Sequence, residues 1–277
     1  MSSDHLIFAV SQEIPSGTDR NRSRNSFSES YAQSKRDIRI HVESEFEKEK
    51  HSTKTQAKNR KGDAKMLVEL RNRVLNVARD ISRLHLAQGT SGNVSARDPS
   101  TGLLAITPTN LPYDLLQIDD IPIINLSGES IWGKKRPSSE MPMHTAIYAA
   151  RTDVNGIVHT HSTYATVFAV LNREIPVVTV PMVEIGPVGV VPFCLPGSKE
   201  LGDETVRYLA KDKKAILLQN HGSVCVDQTV EKALNCSVYL EEGAQIAYLA
   251  LLAEGLNPIP KDYIDIMRES QKKGKAL

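Results

Sequence analysis

Residues 155–162, with the sequence NGIVHTHS, bring two histidines to the end of an apolar run. The pattern predicts a buried strand that ends at the start of a helix, with Ser162 or Thr163 as the N-cap. Side chains two positions apart on a strand point to the same side, so the imidazoles of His159 and His161 would face one cavity. The arrangement suits a metal ion, and it is equally typical of two histidines that form hydrogen bonds at a loop.

A third histidine stands in a similar place. Residues 215–218 are an apolar run that predicts a second buried strand, and the turn 219–222 that follows it contains His221. Three neutral imidazoles and one carboxylate are a sound ligand set for Zn²⁺ or a similar divalent ion, which can keep one position open for substrate. A glutamate in a first helical turn, such as Glu140, commonly complements the helix dipole.

Three turns rich in serine, threonine and glycine could hold an anion near the histidines. They lie at residues 89–96, 107–110 and 136–144. Glycine exposes backbone N–H groups, and hydroxyl and amide side chains add further donors. The third turn opens a helix with Ser139 as its predicted N-cap, and the N-terminus of a helix favours negative charge. The plainer interpretation of the first turn is a hairpin.

Composition narrows the function classes. A formal net charge of +1 over 277 residues gives no case for nucleic acid or for an acidic membrane surface as a partner. No apolar run approaches the roughly 20 residues that span a bilayer. The three cysteines lack C-x-x-C spacing, which is typical of reduced thiols and offers no thiolate metal site. We therefore expect a cytoplasmic location.

The first 64 residues differ from all that follow. They are rich in polar and charged residues, and their isolated apolar residues cannot bury enough surface to offset the entropy cost of ordering. We expect a disordered polar extension over residues 1–64 and a folded domain over residues 65–277. Met66, where the periodic apolar pattern begins, could also be the true initiator, and the intact mass of the native protein would decide this.

The apolar pattern predicts further elements of the domain. Residues 175–180 and 188–191 are predicted to be strands, and residues 230–252 a long helix with Asp227 as its cap. The tail from Asp262 is charged, and we expect it to be peripheral.

Six motifs, in this order, resemble the class II aldolases of the fuculose-phosphate type, a family that includes ribulose-phosphate 4-epimerases and the adducin head domain. The resemblance covers about residues 66 to 260. The motifs are GNVS at 92–95, TPT at 107–109, PSSE at 137–140, HTHS at 159–162, LNRxIP at 171–176 and QNHG at 219–222. The resemblance implies a three-layer α/β/α fold with a central, mainly antiparallel sheet. It also implies a homotetramer with active sites between subunits.

The resemblance assigns roles to residues of these motifs. His159, His161 and His221 would bind one Zn²⁺ per subunit, and another divalent metal is possible. Glu140 would be the fourth ligand in the absence of substrate and the catalytic acid/base during turnover. The phosphate of a small phosphorylated sugar substrate would be bound by Ser91, Gly92, Asn93, Thr109, Asn110, Ser138 and Ser139.

The activity implied by the resemblance is zinc-dependent cleavage of a ketose 1-phosphate, of the fuculose 1-phosphate type, to dihydroxyacetone phosphate and an aldehyde. Zinc would stabilise the enediolate that forms when the C3–C4 bond breaks. The alternatives among enzymes are a ribulose-phosphate 4-epimerase and a methylthioribulose-phosphate dehydratase. The non-enzymatic alternative is an adducin-like interaction module, which should lack the metal ligands.

The chain departs from the family pattern at several positions. Asn110 stands where the family commonly has glycine, and asparagine tolerates positive φ better than most residues. Val180 stands where the fuculose branch has a tyrosine, and no tyrosine follows Arg268 to match that branch's C-terminal one. The proton donor on the aldehyde side is therefore unassigned. Glu184 lies near the acidic catalytic residue of the epimerase branch, and it is equally typical of a loop carboxylate.

Overall fold

The structure, a computed structural model, describes residues 67–210 and 212–273. The predicted disorder of residues 1–64 and the proposed start at Met66 lie outside the described residues.

An eight-stranded sheet with the order β4-β3-β2-β1-β5-β8-β7-β6 forms the centre of the domain. Each neighbouring pair is antiparallel except β6 with β7, which is parallel. This confirms the expected mainly antiparallel sheet. The strands are β1 (Asn93–Arg97), β2 (Leu104–Ile106), β3 (Ile123–Ile124), β4 (Ser130–Trp132), β5 (Gly156–Thr160), β6 (Val190–Val191), β7 (Ala215–Leu218) and β8 (Gly222–Asp227).

Helices cover both faces of this sheet. They are α1 (67–83), α2 (Met141–Ala150), α3 (Thr163–Val170), α4 (Lys199–Leu209), α5 (Val230–Leu252) and α6 (Lys261–Lys272), with short 3₁₀ helices at Ile118–Asp120 and Val180–Glu184. Alternate residues of the central strand β5 face the two layers: Ile157 packs with α2 and α4, and Val158 packs with α1 and α5. The predicted three-layer α/β/α fold is therefore confirmed. No helix of the described chain combines the length and apolar character needed to cross a membrane.

The predicted strand that begins at Ile175 is absent from the described chain. Only Ile175 pairs, in an isolated bridge with Val188. Pro176 has no N–H to extend a ladder, and Pro181 then lies in the first turn of a 3₁₀ helix. Two prolines thus replace the strand with an irregular segment.

The start of α5 differs from its prediction. Asp227 is not the cap: the N-cap is Thr229, whose side chain accepts a hydrogen bond from the N–H of Lys232. The carboxylate of Asp227 instead accepts from the ammonium group of Lys214 at 2.8 Å. The predicted peripheral tail forms α6, of which Ile264 packs into the core.

The start of α3 shows a long-range cap. Ser162 is the N-cap residue, but its side chain makes no capping bond. The carboxylate of Glu241, on α5, instead accepts hydrogen bonds from the N–H groups of Tyr164 and Ala165, each at 2.8 Å. An anion at a helix N-terminus also complements the helix dipole, so α5 anchors the helix that follows the two histidines.

Candidate metal centre

Antiparallel pairing of β5 and β8 brings the three histidines together. His159 on β5 lies opposite Val224 on β8, so the end of β5 and the start of β8 meet at one edge of the sheet. His161 directly follows β5, and His221 directly precedes β8. The ring centroids of the three imidazoles lie 4.8, 4.8 and 4.9 Å apart.

Glu140 adds a carboxylate to this group. Its Oε2 lies 3.1 Å from Nε2 of His159, and its Oε1 lies 3.3 Å from Nε2 of His221. The prediction of Ser139 as the N-cap of α2 was wrong, because Glu140 itself is the N-cap residue. Its backbone N–H donates to Oγ of Ser138, and its side chain makes no capping bond, so the carboxylate points toward the imidazoles.

The environment sets the protonation of these groups. Burial raises the pKa of Glu140, but the electrostatic influence of His159 and hydrogen bonds outweigh it, so its pKa lies well below the ordinary value. Burial and the influence of His159 lower the pKa of His161 to about 3 and that of His221 to about 4. At pH 7 the carboxylate is thus ionised and these two imidazoles are neutral, as metal ligands must be.

The side chains present fit a divalent metal ion. Nδ1 of His159 lies 2.8 Å from the carbonyl oxygen of Ser223 and can only donate to it, which leaves Nε2 as the ring nitrogen that could bind a metal ion. That Nε2 lies 3.1 Å from Oε2 of Glu140, so the two atoms are placed to bind one ion together. Oε1 of Glu140 is buried without a hydrogen-bond donor among the described residues.

The donor set also agrees with such an ion. One potential ligand atom from each of Glu140, His159, His161 and His221 lies within 4.8 Å of the others. Three imidazole nitrogens and one carboxylate oxygen suit zinc and similar ions. The structure therefore brings all four predicted metal ligands together.

The three predicted anion-binding turns lie side by side along this edge. The N–H of Val94 donates to Oγ1 of Thr107, and the N–H of Thr107 donates back to the carbonyl of Val94. The N–H of Ser138 donates to the carbonyl of Thr107, and the N–H of Thr109 to that of Arg136. These bonds join the first turn to the second and the second to the third.

The first turn already uses several of its polar groups. Oγ of Ser91 donates to the carbonyl of Gln88 at 2.7 Å. Gly92 has φ +75°, and a Cβ there would lie 2.6 Å from the carbonyl oxygen of His159, so only glycine fits. Asn93 is buried, and its Nδ2 donates to Oε2 of Glu140 at 2.8 Å. Its role in phosphate binding remains a prediction.

The other predicted phosphate-binding residues lie in the second and third turns. Thr109 is half-buried and Asn110 is exposed, with φ 57°, which is the positive value that asparagine tolerates. Ser138 is buried and Ser139 is exposed. Asn110 and Ser139 are thus open to solvent, and the binding of phosphate by these residues stays a prediction.

Glu184 lies away from the histidines within this chain. Its carboxylate pairs with the ammonium group of Lys214, which also pairs with Asp227 at the far end of β8. Lys214 precedes β7, so this ion-pair group is at the edge of the sheet opposite to His221. The arrangement favours the interpretation of Glu184 as a loop carboxylate.

His144 is a buried polar residue that the motif comparison left without a role. Its Nε2 is hydrogen-bonded to Oδ1 of Asn93, and burial lowers the pKa of its imidazole to about 3. It follows Glu140 by four residues, and this spacing places two side chains on one face of a helix. This spacing from Glu140 was the signal in the sequence that could have pointed to His144.

Gly222 is the point of closest approach between β8 and the end of β5. A Cβ at this position would lie 2.2 Å from the carbonyl oxygen of Thr160 and 3.0 Å from the ring of His161. We expect Gly222→Ala to lower the free energy of unfolding by about 1–3 kcal/mol, because a backbone atom must move. Urea denaturation would measure it.

Gly189→Ala is the matched control for that variant. A Cβ at Gly189 meets nothing within 4 Å, and the φ of Gly189 is not positive. The free energy of unfolding of Gly189→Ala should therefore stay close to that of the parent protein. Equal stability of the two variants would contradict the close approach.

Comparison with known proteins agrees with this site. The family model described as the class II aldolase and adducin N-terminal domain matches residues 72–248. A 5-deoxy-D-ribulose 1-phosphate aldolase of Bacillus thuringiensis serovar kurstaki is 39% identical over 164 residues, which are 59% of this chain and 76% of that protein. The L-fuculose phosphate aldolase of Escherichia coli K12 is 38% identical over 194 residues, 69% of this chain and 87% of that protein.

A solved structure supports the same assignment. The structure of an L-fuculose 1-phosphate aldolase matches with a TM-score of 0.69 and 29% identity, over 74% of this chain and 96% of that one. The matched region contains the three histidines and Glu140, which lie within residues 72–248. The chain therefore belongs to the class II aldolase and adducin family, as one of its enzymes, an aldolase of the lyase class.

Proposed function

We propose that this aldolase uses zinc to cleave a ketose 1-phosphate into dihydroxyacetone phosphate and an aldehyde. The observation that carries the proposal is the His₃Glu cluster beside three adjoining turns rich in hydroxyl and N–H donors. The two relatives are named for 5-deoxyribulose 1-phosphate and fuculose phosphate, which both end in a methyl group. A deoxy-ketose 1-phosphate is therefore the substrate class that we favour.

His159, His161 and His221 would hold the metal, and Glu140 would complete its ligands when no substrate is bound. A bound divalent ion supplies Lewis-acid stabilisation of negative charge that develops on substrate oxygens. The imidazoles of His161 and His221 are neutral at pH 7, and the hydrogen bond from Nδ1 of His159 to the carbonyl of Ser223 keeps that ring oriented.

Glu140 is the residue that moves the proton. In the direction of synthesis its ionised carboxylate takes a proton from the hydroxymethyl carbon of dihydroxyacetone phosphate, and in cleavage it returns that proton. Oε2 already accepts a hydrogen bond from Asn93, whereas Oε1 is buried without a donor among the described residues. Oε1 is therefore the atom to which we assign the proton.

The substrate phosphate would be bound by the seven residues predicted from the three turns. Neutral donors predominate there, namely backbone N–H groups, hydroxyls and amides, and these can bind a phosphate without a buried cation. The hydrogen bonds between the turns keep the donors at fixed distances from Glu140, which supports the proposal.

The quaternary structure and location are part of the proposal. A homotetramer with active sites between subunits would cover apolar side chains of α5 that are exposed in the single chain, among them Ile246, Leu249 and Leu252. Buried free thiols at Cys194, Cys225 and Cys236 agree with a cytoplasmic location.

The alternative activities receive less support. The pairing of Glu184 with Lys214 supports its interpretation as a loop carboxylate over a catalytic acid of the epimerase kind. An adducin-like module has no use for a His₃Glu cluster, which this chain retains. A dehydratase would share the metal site, so the distinction between it and an aldolase rests on the products formed.

The test is the release of dihydroxyacetone phosphate from a panel of ketose 1-phosphates that includes fuculose, 5-deoxyribulose and methylthioribulose 1-phosphates. We expect release that a chelator abolishes and that added zinc restores. Formation of an epimer or a dehydrated product by the zinc-loaded protein, without release of dihydroxyacetone phosphate, would overturn the proposal. The aldehyde formed fastest would identify the other half of the substrate.

A further inference from the structure

A chain of buried polar side chains runs from the carboxylate of Glu140 into the layer of α2. Asn93 donates to Glu140, and the other end of its amide is hydrogen-bonded to Nε2 of His144. Nδ1 of His144 lies 2.6 Å from Oγ of Ser95, which lies 2.9 Å from the hydroxyl of Tyr148. His144 and Ser95 are fully buried, and Tyr148 is 1% exposed.

The ionised carboxylate of Glu140 determines which atom donates in every hydrogen bond of this series of side chains. Because Glu140 can only accept, the amide of Asn93 presents its NH₂ group to Glu140 and its carbonyl oxygen to His144. His144 must therefore carry its proton on Nε2, and its Nδ1 accepts from the hydroxyl of Ser95. The hydroxyl of Tyr148 then donates to Ser95.

We propose that His144 is a positioning residue for proton transfer: it anchors the amide of Asn93, which thereby holds Oε2 of Glu140 and leaves Oε1 to carry the proton. The inference rests on the proposed aldolase function. Asn93 alone could rotate about its side-chain bonds whenever Glu140 changes from metal ligand to base. A second hydrogen bond at the opposite end of the amide prevents this rotation.

A purely structural role of His144 would have different consequences. A buried imidazole needs hydrogen-bond partners in any case, and its loss would destabilise the fold without a specific effect on Glu140. A positioning role predicts slower proton transfer at an unchanged affinity for dihydroxyacetone phosphate. It also predicts weaker metal binding, because outer residues that orient ligands typically contribute about 10- to 100-fold to metal affinity or activity.

The experiment compares His144→Leu with His144→Gln, whose side-chain amide can still donate to Asn93. Exchange of the hydroxymethyl proton of dihydroxyacetone phosphate in D₂O, followed by NMR with zinc-loaded protein, reports the step of Glu140 alone. We expect His144→Leu to slow this exchange by about tenfold or more. The concentration of dihydroxyacetone phosphate that gives half-maximal exchange should stay within about threefold of the parent value. His144→Gln should exchange within about threefold of the parent rate.

Zinc affinity gives a readout that does not depend on turnover. Competition with a chromogenic chelator should show about tenfold weaker zinc binding by His144→Leu and near-parental binding by His144→Gln. Thr145→Ala is the matched control, because Thr145 is the next residue of α2 and, among the described residues, its hydroxyl bonds only to backbone carbonyls of its own helix turn. Thr145→Ala should leave the rate of proton exchange and the affinity for zinc unchanged.

The outcomes separate this inference from the proposed function. Absence of proton exchange in the zinc-loaded parent protein would reject the aldolase function itself. Exchange in the parent protein that His144→Leu leaves unaltered would overturn the positioning role. Should His144→Leu fail to fold, ¹⁵N NMR of the parent protein decides: a proton on Nε2 of His144 supports the inference, and a proton on Nδ1 overturns it.

Discussion

Replacement of His159 by alanine should abolish both metal retention and aldol cleavage. His159 is fully buried and its Nε2 faces both Glu140 and His161, so its loss removes a central ligand. A Lewis acid supplies several kcal/mol of transition-state stabilisation, so we expect the rate of cleavage to fall by more than about 10³-fold. Metal content by atomic emission and release of dihydroxyacetone phosphate would measure the two effects.

His221→Ala provides the companion variant, because His221 is slightly more exposed and its loss should disturb the core less. His85→Asn is the matched control: His85 is exposed and has φ 57°, a conformation that asparagine tolerates. The control should keep metal and activity. Normal turnover with unchanged metal content in His159→Ala or His221→Ala would reject the metal centre.

Glu140→Gln should retain the fold and lose the proton transfer. The substitution preserves shape, and the amide oxygen can still accept the hydrogen bond from Asn93, but it cannot take up a proton. General acid–base catalysis contributes about 10²- to 10⁴-fold, so we expect cleavage and proton exchange to fall by that factor. Steady-state kinetics and exchange in D₂O would both record the loss.

Glu242→Gln is the control for removal of one carboxylate, because Glu242 is an exposed residue of α5. Its kinetics should match those of the parent protein. Thermal unfolding checks that Glu140→Gln remains folded, since the three histidines stay in place. A fully active Glu140→Gln variant would exclude Glu140 from proton transfer and would redirect attention to another base.

Much of the site could be predicted from residues close together in the chain. The His-x-His spacing and the buried strand under it are local features, and the structure places both imidazoles in one cluster. The bounds of α5 agree with the predicted helix, because a 3.6-residue apolar repeat over six turns is a strong signal. The family motifs then implied which carboxylate joins the histidines.

Predictions from local sequence patterns were wrong where a residue distant in the chain formed the hydrogen bond or ion pair instead of the expected cap. Ser139, Ser162 and Asp227 all have the character of helix caps, yet none of them caps its helix with its side chain. Lys214 takes the carboxylate of Asp227, and Glu241 takes the N–H groups that Ser162 would have capped. A local rule has no information about these distant partners.

The sequence by itself therefore determined the kinds of groups in the site and the strands and helices that carry them. Only the tertiary structure decided their pairing: Glu140 turns toward His159, and Asn93 lies between Glu140 and His144. Asn93 and Glu140 are 47 residues apart. The physical reason is that hydrogen bonds and burial depend on distances in space, and these are set when β1, β5 and α2 pack together.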